Sequence, residues 1–232
     1  MCFLAVLILD GFLCRTMYLS YRETKETLFI PADADGEVID DIRKQFSGEK
    51  LVALTFDDGP HSTYTKELLD GLRERGVHAT FFLLGENIEG KEDIVKQMQE
   101  DGHLIGNHGL THILMSRENT NQAIIQIEEN NKKIQDITGK RPEYLRPPFG
   151  YWNDELESTT HMTVVLWNVD TLDWKLQNSR KVVRNIVKQV EPGDIILLHD
   201  IFPTSVKAAL EAIDTLQKQG YTFVTVEELL VD

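Results

Sequence analysis

A chain of 232 residues with 41% hydrophobic content is long enough to bury a sizeable core, in one large domain or two small ones. Its formal net charge of −14 excludes non-specific binding to nucleic acid or anionic lipid, because phosphates would be repelled. Both cysteines, Cys2 and Cys14, precede Arg15, so the rest of the chain has neither a thiolate metal site nor a cysteine nucleophile.

Residues 1–19 are mostly apolar, but Asp10 and Arg15 interrupt them and no basic residue precedes them. A secretory signal opens on positive charge and a spanning helix needs about 20 predominantly apolar residues, so the segment matches neither pattern well. It reads as the remnant of a signal or membrane anchor, with a strand or helix packed on the body as the alternative. Residues 20–49 carry Pro31, Gly36 and Gly48 among many charges and read as a linker with one short helix around 38–46.

From residue 50 to 232, short β-rich runs alternate with helical stretches. The runs fall at 51–56, 79–84, 103–106, 144–146, 163–167, 194–199 and 221–226. The helical stretches, most with apolar residues three and four apart, fall at 63–75, 91–100, 117–138, 179–189 and 205–218. This alternation implies a parallel sheet, and about seven strands suit a closed or nearly closed (β/α) barrel of the α/β class better than two domains.

The stretch Thr55-Phe56-Asp57-Asp58-Gly59-Pro60 lies where the first strand ends and a helix begins, the place where α/β folds keep their chemistry. Adjacent acids on an irregular turn point apart, so one can hold a metal while the other moves a proton. The same residues are also good turn formers, and the rest of the chain decides between the two readings.

Gly106-Asn107-His108-Gly109-Leu110-Thr111-His112 follows the third run. Two histidines four apart face one way if the segment takes a helical turn, and with Asp58 they would make a His-His-Asp set with positions left open for water and substrate. His61, His78, His103 and His161 read as surface or satisfied core residues. In Arg146-Pro147-Pro148-Phe149-Gly150, two prolines predict an extended loop that excludes helix, delivers Arg146 at a strand end and leaves the Phe149 N–H for an oxyanion. Taken alone, a rigid loop with a surface ion pair explains it as well.

Asp170-Thr171-Leu172-Asp173-Trp174 follows one strand and Leu197-Leu198-His199-Asp200 closes another. A carboxylate beside a strand-end histidine orients the imidazole and raises its pKa so that it can donate a proton near neutrality. Leu197 and Trp174 would be its apolar neighbours.

Read together, T-F-D-D-G-P, H-x-x-x-H, R-P-P-F-G, D-x-x-D-W and L-x-H-D resemble, in order, the five motifs of the polysaccharide deacetylases, carbohydrate esterase family 4. Ala79-Thr80-Phe81-Phe82 and the segment 102–108 are similar to its connecting segments, so the resemblance covers about residues 51–230. It implies a distorted (β/α) barrel that removes acetyl groups from N-acetylated sugars, or less often O-acetylated ones, with a divalent metal. On this implication Asp58, His108 and His112 hold zinc, with cobalt or nickel as substitutes. Asp57 is the general base, Arg146 fixes it, His199 is the general acid and Asp173 tunes it. Leu197 and Trp174 line the acetyl pocket, and the Phe149 N–H joins the metal at the oxyanion.

The substrate expected from the resemblance is an N-acetylglucosamine glycan, peptidoglycan first and chitooligosaccharide second. An O-acetyl xylan esterase and a non-catalytic sugar-binding barrel are the alternatives. It also implies a monomer that works outside the cell or in its envelope, with residues 1–19 as a candidate membrane attachment. One position departs from the family pattern: Gly109 stands where Ser or Thr is usual, which removes a loop hydrogen bond and adds backbone freedom.

Overall fold

The structure, a computed structural model, describes residues 49–116 and 119–231. The expected N-terminal segment at 1–19 and the helix within the linker at 38–46 lie outside the described residues. Among the described residues no helix is long and apolar enough to cross a membrane.

Among the described residues eight parallel strands form one curled sheet: β1 (Lys50–Asp57), β2 (Thr80–Leu83), β3 (Leu104–Asn107), β4 (Tyr144–Leu145), β5 (Thr163–Val164), β6 (Val169–Asp170), β7 (Ile195–His199) and β8 (Tyr221–Val224). Their order is β5-β4-β3-β2-β1-β7-β6, and the two end strands do not pair with each other, so the barrel is distorted and open. Strand β8 pairs with the first half of β1 through Lys50–Ala53, while β2 takes the second half through Thr55–Asp57. The expected run at 163–167 is shorter than predicted, and an eighth strand, β6, follows it. A two-residue ladder is too short to leave a period-2 signature in sequence.

Helices α1 (Tyr64–Arg75), α2 (Glu92–Glu100), α3 (Thr120–Thr138), α4 (Asp154–Thr160), α5 (Asp173–Leu176), α6 (Ser179–Gln189), α7 (Pro203–Lys218) and α8 (Val226–Val231) complete the fold. The five long ones are those the apolar spacing predicted; α4, α5 and α8 span only one or two turns and were not. Helix α1 shows why the spacing works: Leu68, Leu69 and Leu72 form its buried stripe, and Gly76 ends it in the left-handed conformation, φ 61°. Pro203 opens α7, where its missing N–H costs no helical hydrogen bond.

The alternation of β1 divides the molecule. Val52, Leu54 and Phe56 point into the main core, where they meet Phe81, Leu83, Ile196 and Leu198 beneath α1 and α7. Thr55 and Asp57 point to the other face, and parallel pairing sets them beside Leu197 and His199. Burial of both faces explains why β1 is a nearly continuous apolar run. A second cluster, Met115, Ala123, Ile127, Leu145, Leu156 and Met162, packs α3 and α4 against the loop after β3.

Phe56 is fully buried and stacks on Phe81 with ring centroids 5.2 Å apart. Phe56→Ala should cost about 3–5 kcal/mol of unfolding free energy, measured by urea titration. A cost below about 1 kcal/mol would mean that this face of β1 is not the core.

Candidate active site

The predicted residues stand at or just past the carboxyl ends of β1, β3, β4, β6 and β7. The turn does not part the two acids as expected, since one oxygen of each faces His108 Nε2; Asp58, just past β1, takes a φ of 73°. Its Oδ1 lies 3.4 Å from His108 Nε2 and 3.8 Å from His112 Nε2, and one ligand atom from each of the three lies within 4.8 Å of the others. Among the described residues this is the one group of three that could hold a metal ion.

The histidines do not meet by way of a helical turn, as predicted. The segment from His108 to Met115 is irregular, and Gly109 reverses it with a φ of 87°, a conformation the i, i+4 argument does not contain. The rings still converge, with centroids 5.3 Å apart.

Three observations test whether this triad suits a cation. Asp58 Oδ1 is buried and has no hydrogen-bond partner, which would cost free energy unless something positive faces it. Burial lowers the pKa of both His108 and His112, so each ring is neutral and keeps a lone pair. His108 Nδ1 lies 2.7 Å from the Arg146 carbonyl, which can only accept, so the proton sits on Nδ1 and Nε2 presents its lone pair to Asp58. The residues fit a divalent cation. His112, with a side chain 33% exposed, leaves the triad open to solvent on one side.

Arg146 is fully buried and spends its donors on four acceptors. Nη1 donates to Asp57 Oδ1 at 2.9 Å and to Thr55 Oγ1 at 2.6 Å, Nε to the Val165 carbonyl at 3.1 Å, and Nη2 to the Leu166 carbonyl at 2.9 Å. The guanidinium also lies 4.3 Å above the Phe82 ring. Burial lowers its pKa from the usual arginine value, and the Asp57 charge opposes that shift. The surface ion pair offered by the simpler reading is therefore not what forms. Asp57 Oδ2, the oxygen facing the triad, lies 3.8 Å from His108 Nε2.

The two prolines do not exclude helix either. Pro148–Gly150 forms a single 3-10 turn with proline at its start, where no N–H is needed. Phe149 sits inside it with a φ of 61°, and its N–H falls in the first turn, where no acceptor within the helix exists. Its ring, 56% exposed, meets His112 edge-on with centroids 4.4 Å apart.

On the other side, His199 Nδ1 donates to Asp173 Oδ1 at 2.8 Å, and the His199 backbone N–H donates to Asp173 Oδ2 at 2.8 Å. Burial disfavours the imidazolium, yet the Asp173 hydrogen bond and charge, with Asp57 and Asp58 behind them, push the His199 pKa up to about 9. For Asp173, burial opposes ionisation, but the His199 hydrogen bond and charge bring its pKa below the usual value. Leu197 is buried beside Thr55 on the site face, and Trp174 on α5 is exposed.

The four histidines set aside stay outside the triad. His61 Nδ1 accepts from the Thr63 and Tyr64 N–H groups, His103 Nδ1 accepts from the Ala79 N–H, and His78 and His161 are exposed.

Thr55 and Asp200 stand in the quoted motifs, but sequence reasoning gave them no role. Thr55 accepts from Arg146 and donates to the Ile196 carbonyl at 2.7 Å, which ties the arginine to β7. Asp200 lies under the turn at 57–60: a Cβ on Gly59 would fall 2.4 Å from its Oδ2, and Thr65 Oγ1 donates to the same oxygen at 2.5 Å. Burial pushes its pKa up to about 7 against that hydrogen bond. The one sequence signal for it is the His199-Asp200 adjacency, which alternation sends to the face opposite His199.

The family profile described as polysaccharide deacetylase matches residues 44–167. Over 181 residues the chain is 42% identical to the peptidoglycan-N-acetylmuramic acid deacetylase PdaC of Bacillus subtilis, an alignment that covers 78% of this chain. The chain belongs to the polysaccharide deacetylase family. A second member, a peptidoglycan-N-acetylglucosamine deacetylase of Bacillus cereus, is 39% identical over 192 residues, covering 79% of this chain and 90% of that one. The solved structure of B. subtilis PdaC matches with a TM-score of 0.76 at 42% identity, over 78% of this chain and 90% of that one. The alignment spans 39% of the full length of PdaC.

The pairing of His199 with Asp173 predicts a pH signature for the metal-free chain. A histidine raised from 6.5 to about 9 adds stability that is fully present below pH 6.5 and lost as pH rises through about 9. Urea midpoints across this window should fall for the wild type and stay flatter for Asp173→Asn. Equal slopes in the two proteins would contradict the assignment.

Proposed function

We propose that this chain is a metal-dependent N-deacetylase of peptidoglycan. The observation that carries the reading is the convergence of Asp58, His108 and His112 within 4.8 Å beside two proton-moving groups, Asp57 and His199. The names of the similar proteins, peptidoglycan deacetylases acting on N-acetylglucosamine or N-acetylmuramic acid, support the substrate class. Two imidazoles and one carboxylate with an open position suit zinc, and cobalt or nickel could replace it.

Asp58, His108 and His112 would hold the ion, which lowers the pKa of water and polarises the acetyl carbonyl. Asp57 takes the proton from the attacking water, and the Arg146 hydrogen bond keeps its other oxygen fixed so that only Oδ2 faces the site. The Phe149 N–H donates to the developing oxyanion. His199, charged through Asp173, gives its proton to the departing amine, which leaves poorly without one. Leu197 and Trp174 enclose the acetyl methyl.

Residues 50–232 are the catalytic unit on this reading. On the same proposal the chain works in the cell envelope, where such a substrate lies, and acts as a monomer.

The test is acetate release from peptidoglycan by metal-supplied protein, with mass spectrometry locating the free amine on glucosamine or muramic acid. Asp58→Ala should lose metal and activity together. His199→Ala should keep the metal and lose about 10²–10⁴-fold in turnover. Metal binding with no acetate released from any acetylated glycan would favour a sugar-binding barrel, and a new hydroxyl in place of an amine would favour an esterase.

A further inference from the structure

Helix α3 breaks its own pattern. Its buried stripe runs Ala123, Ile127, Asn130, Asn131, Ile134, and the two adjacent asparagines are fully buried where apolar residues would pack. Asparagine is a poor helix former, and a buried amide is costly unless its polar atoms are paired. A helix that keeps two of them departs from the local rule, as functional sites do.

Their partners lie at the metal-site loop. Asn130 Nδ2 reaches the Leu83 carbonyl at 2.8 Å, the Gly109 carbonyl at 2.8 Å and Asn107 Oδ1 at 2.9 Å. Asn107 Oδ1 also accepts from the Gly109 N–H at 2.6 Å, and Asn107 Nδ2 donates to Asn131 Oδ1 at 2.7 Å and to the Ile127 carbonyl at 2.9 Å. The Gly109 carbonyl takes a further bond from the Gly85 N–H at 3.0 Å. Gly109 therefore has both backbone groups bonded, and the freedom expected of a glycine at this position is withheld. A hydroxyl-bearing side chain would not fit unchanged, since a Cβ there would lie 3.1 Å from Met115 Cε at a φ of 87°.

Asn130 Oδ1 is buried without a partner. The side chain leaves its acceptor unused while its donors gather the end of β2 and the loop. Gly85 is packed against that oxygen, where a Cβ would come within 2.7 Å.

We propose that Asn130 and Asn131, acting through Asn107, are positioning residues: a buried amide clamp that holds loop 107–112 in the conformation bringing His108 and His112 to Asp58. None of the three belongs to the triad. The inference rests on the reading of that triad as a metal site, and it assigns to α3 the restraint that Gly109 cannot supply.

The test measures Co²⁺ affinity by the visible absorption of the bound ion, together with thermal stability of the metal-free protein, in the full chain. Asn130→Ser should weaken Co²⁺ binding about 10–100-fold and alter the absorption band. Ile134→Ala, a truncation on the same helix in the main core and not in the cluster that holds Met115 of the loop, should lower the melting temperature and leave the affinity unchanged. Should Asn130→Ser fail to fold, Asn131→Ser carries the same expectation through Asn107. Wild-type binding with unchanged affinity in the asparagine variants, or an equal loss in Ile134→Ala, would overturn the clamp alone. A wild-type chain that binds no Co²⁺ would remove the metal reading, and the clamp with it.

Discussion

A buried guanidinium governs this site. Arg146 is cut off from solvent, and an uncompensated charge in that position would unfold or rearrange its surroundings. It is tolerated because its donors meet the Asp57 carboxylate, the Thr55 hydroxyl and two carbonyls beyond β5, with the Phe82 ring on one face. Each of those partners is fixed in return. The Arg146 backbone works as well: its N–H donates to the Asn107 carbonyl at 2.9 Å, and its carbonyl holds His108 Nδ1. One residue thus orients the proposed base and a proposed metal ligand at once.

The arrangement separates two protonation states within a small space. On the triad side, burial keeps His108 and His112 neutral, as ligands must be. Across β1, the Asp173 hydrogen bond keeps His199 charged despite its burial. Three imidazoles in one cleft are pushed in opposite directions by their immediate partners, the pattern by which acid and base roles coexist at one pH. The strand register makes this possible, since β1 sets Asp57 directly opposite His199 on β7.

Much of this was legible in the sequence for definite reasons. Alternating short apolar runs and 3.6-period stretches identify a parallel α/β sheet because burial on both faces leaves a strong compositional trace. The residues at strand ends were legible because motifs there combine chemistry-bearing side chains with turn formers, as at Asp57 to Pro60. What escaped depends on contacts between residues far apart. Strand β6 is two residues long, and the 3-10 turn at Pro148–Gly150 exists because its proline stands at the start of the turn and not within it. The irregular path between His108 and His112 is set by Gly109 and by asparagines on a helix some twenty residues later. Asn130 and Asn131 look in sequence like the polar face of an amphipathic helix, and only tertiary packing turns them inward.

The central claim is that one divalent cation is gripped by residues from two strand ends, facing the buried, unpartnered Asp58 Oδ1. Anomalous diffraction at the zinc edge from crystals of the zinc-loaded chain tests it directly. The account predicts a single peak about 2.0–2.2 Å from an Asp58 oxygen and from the Nε2 atoms of His108 and His112. A peak elsewhere, or one ligated through His108 Nδ1, would contradict it.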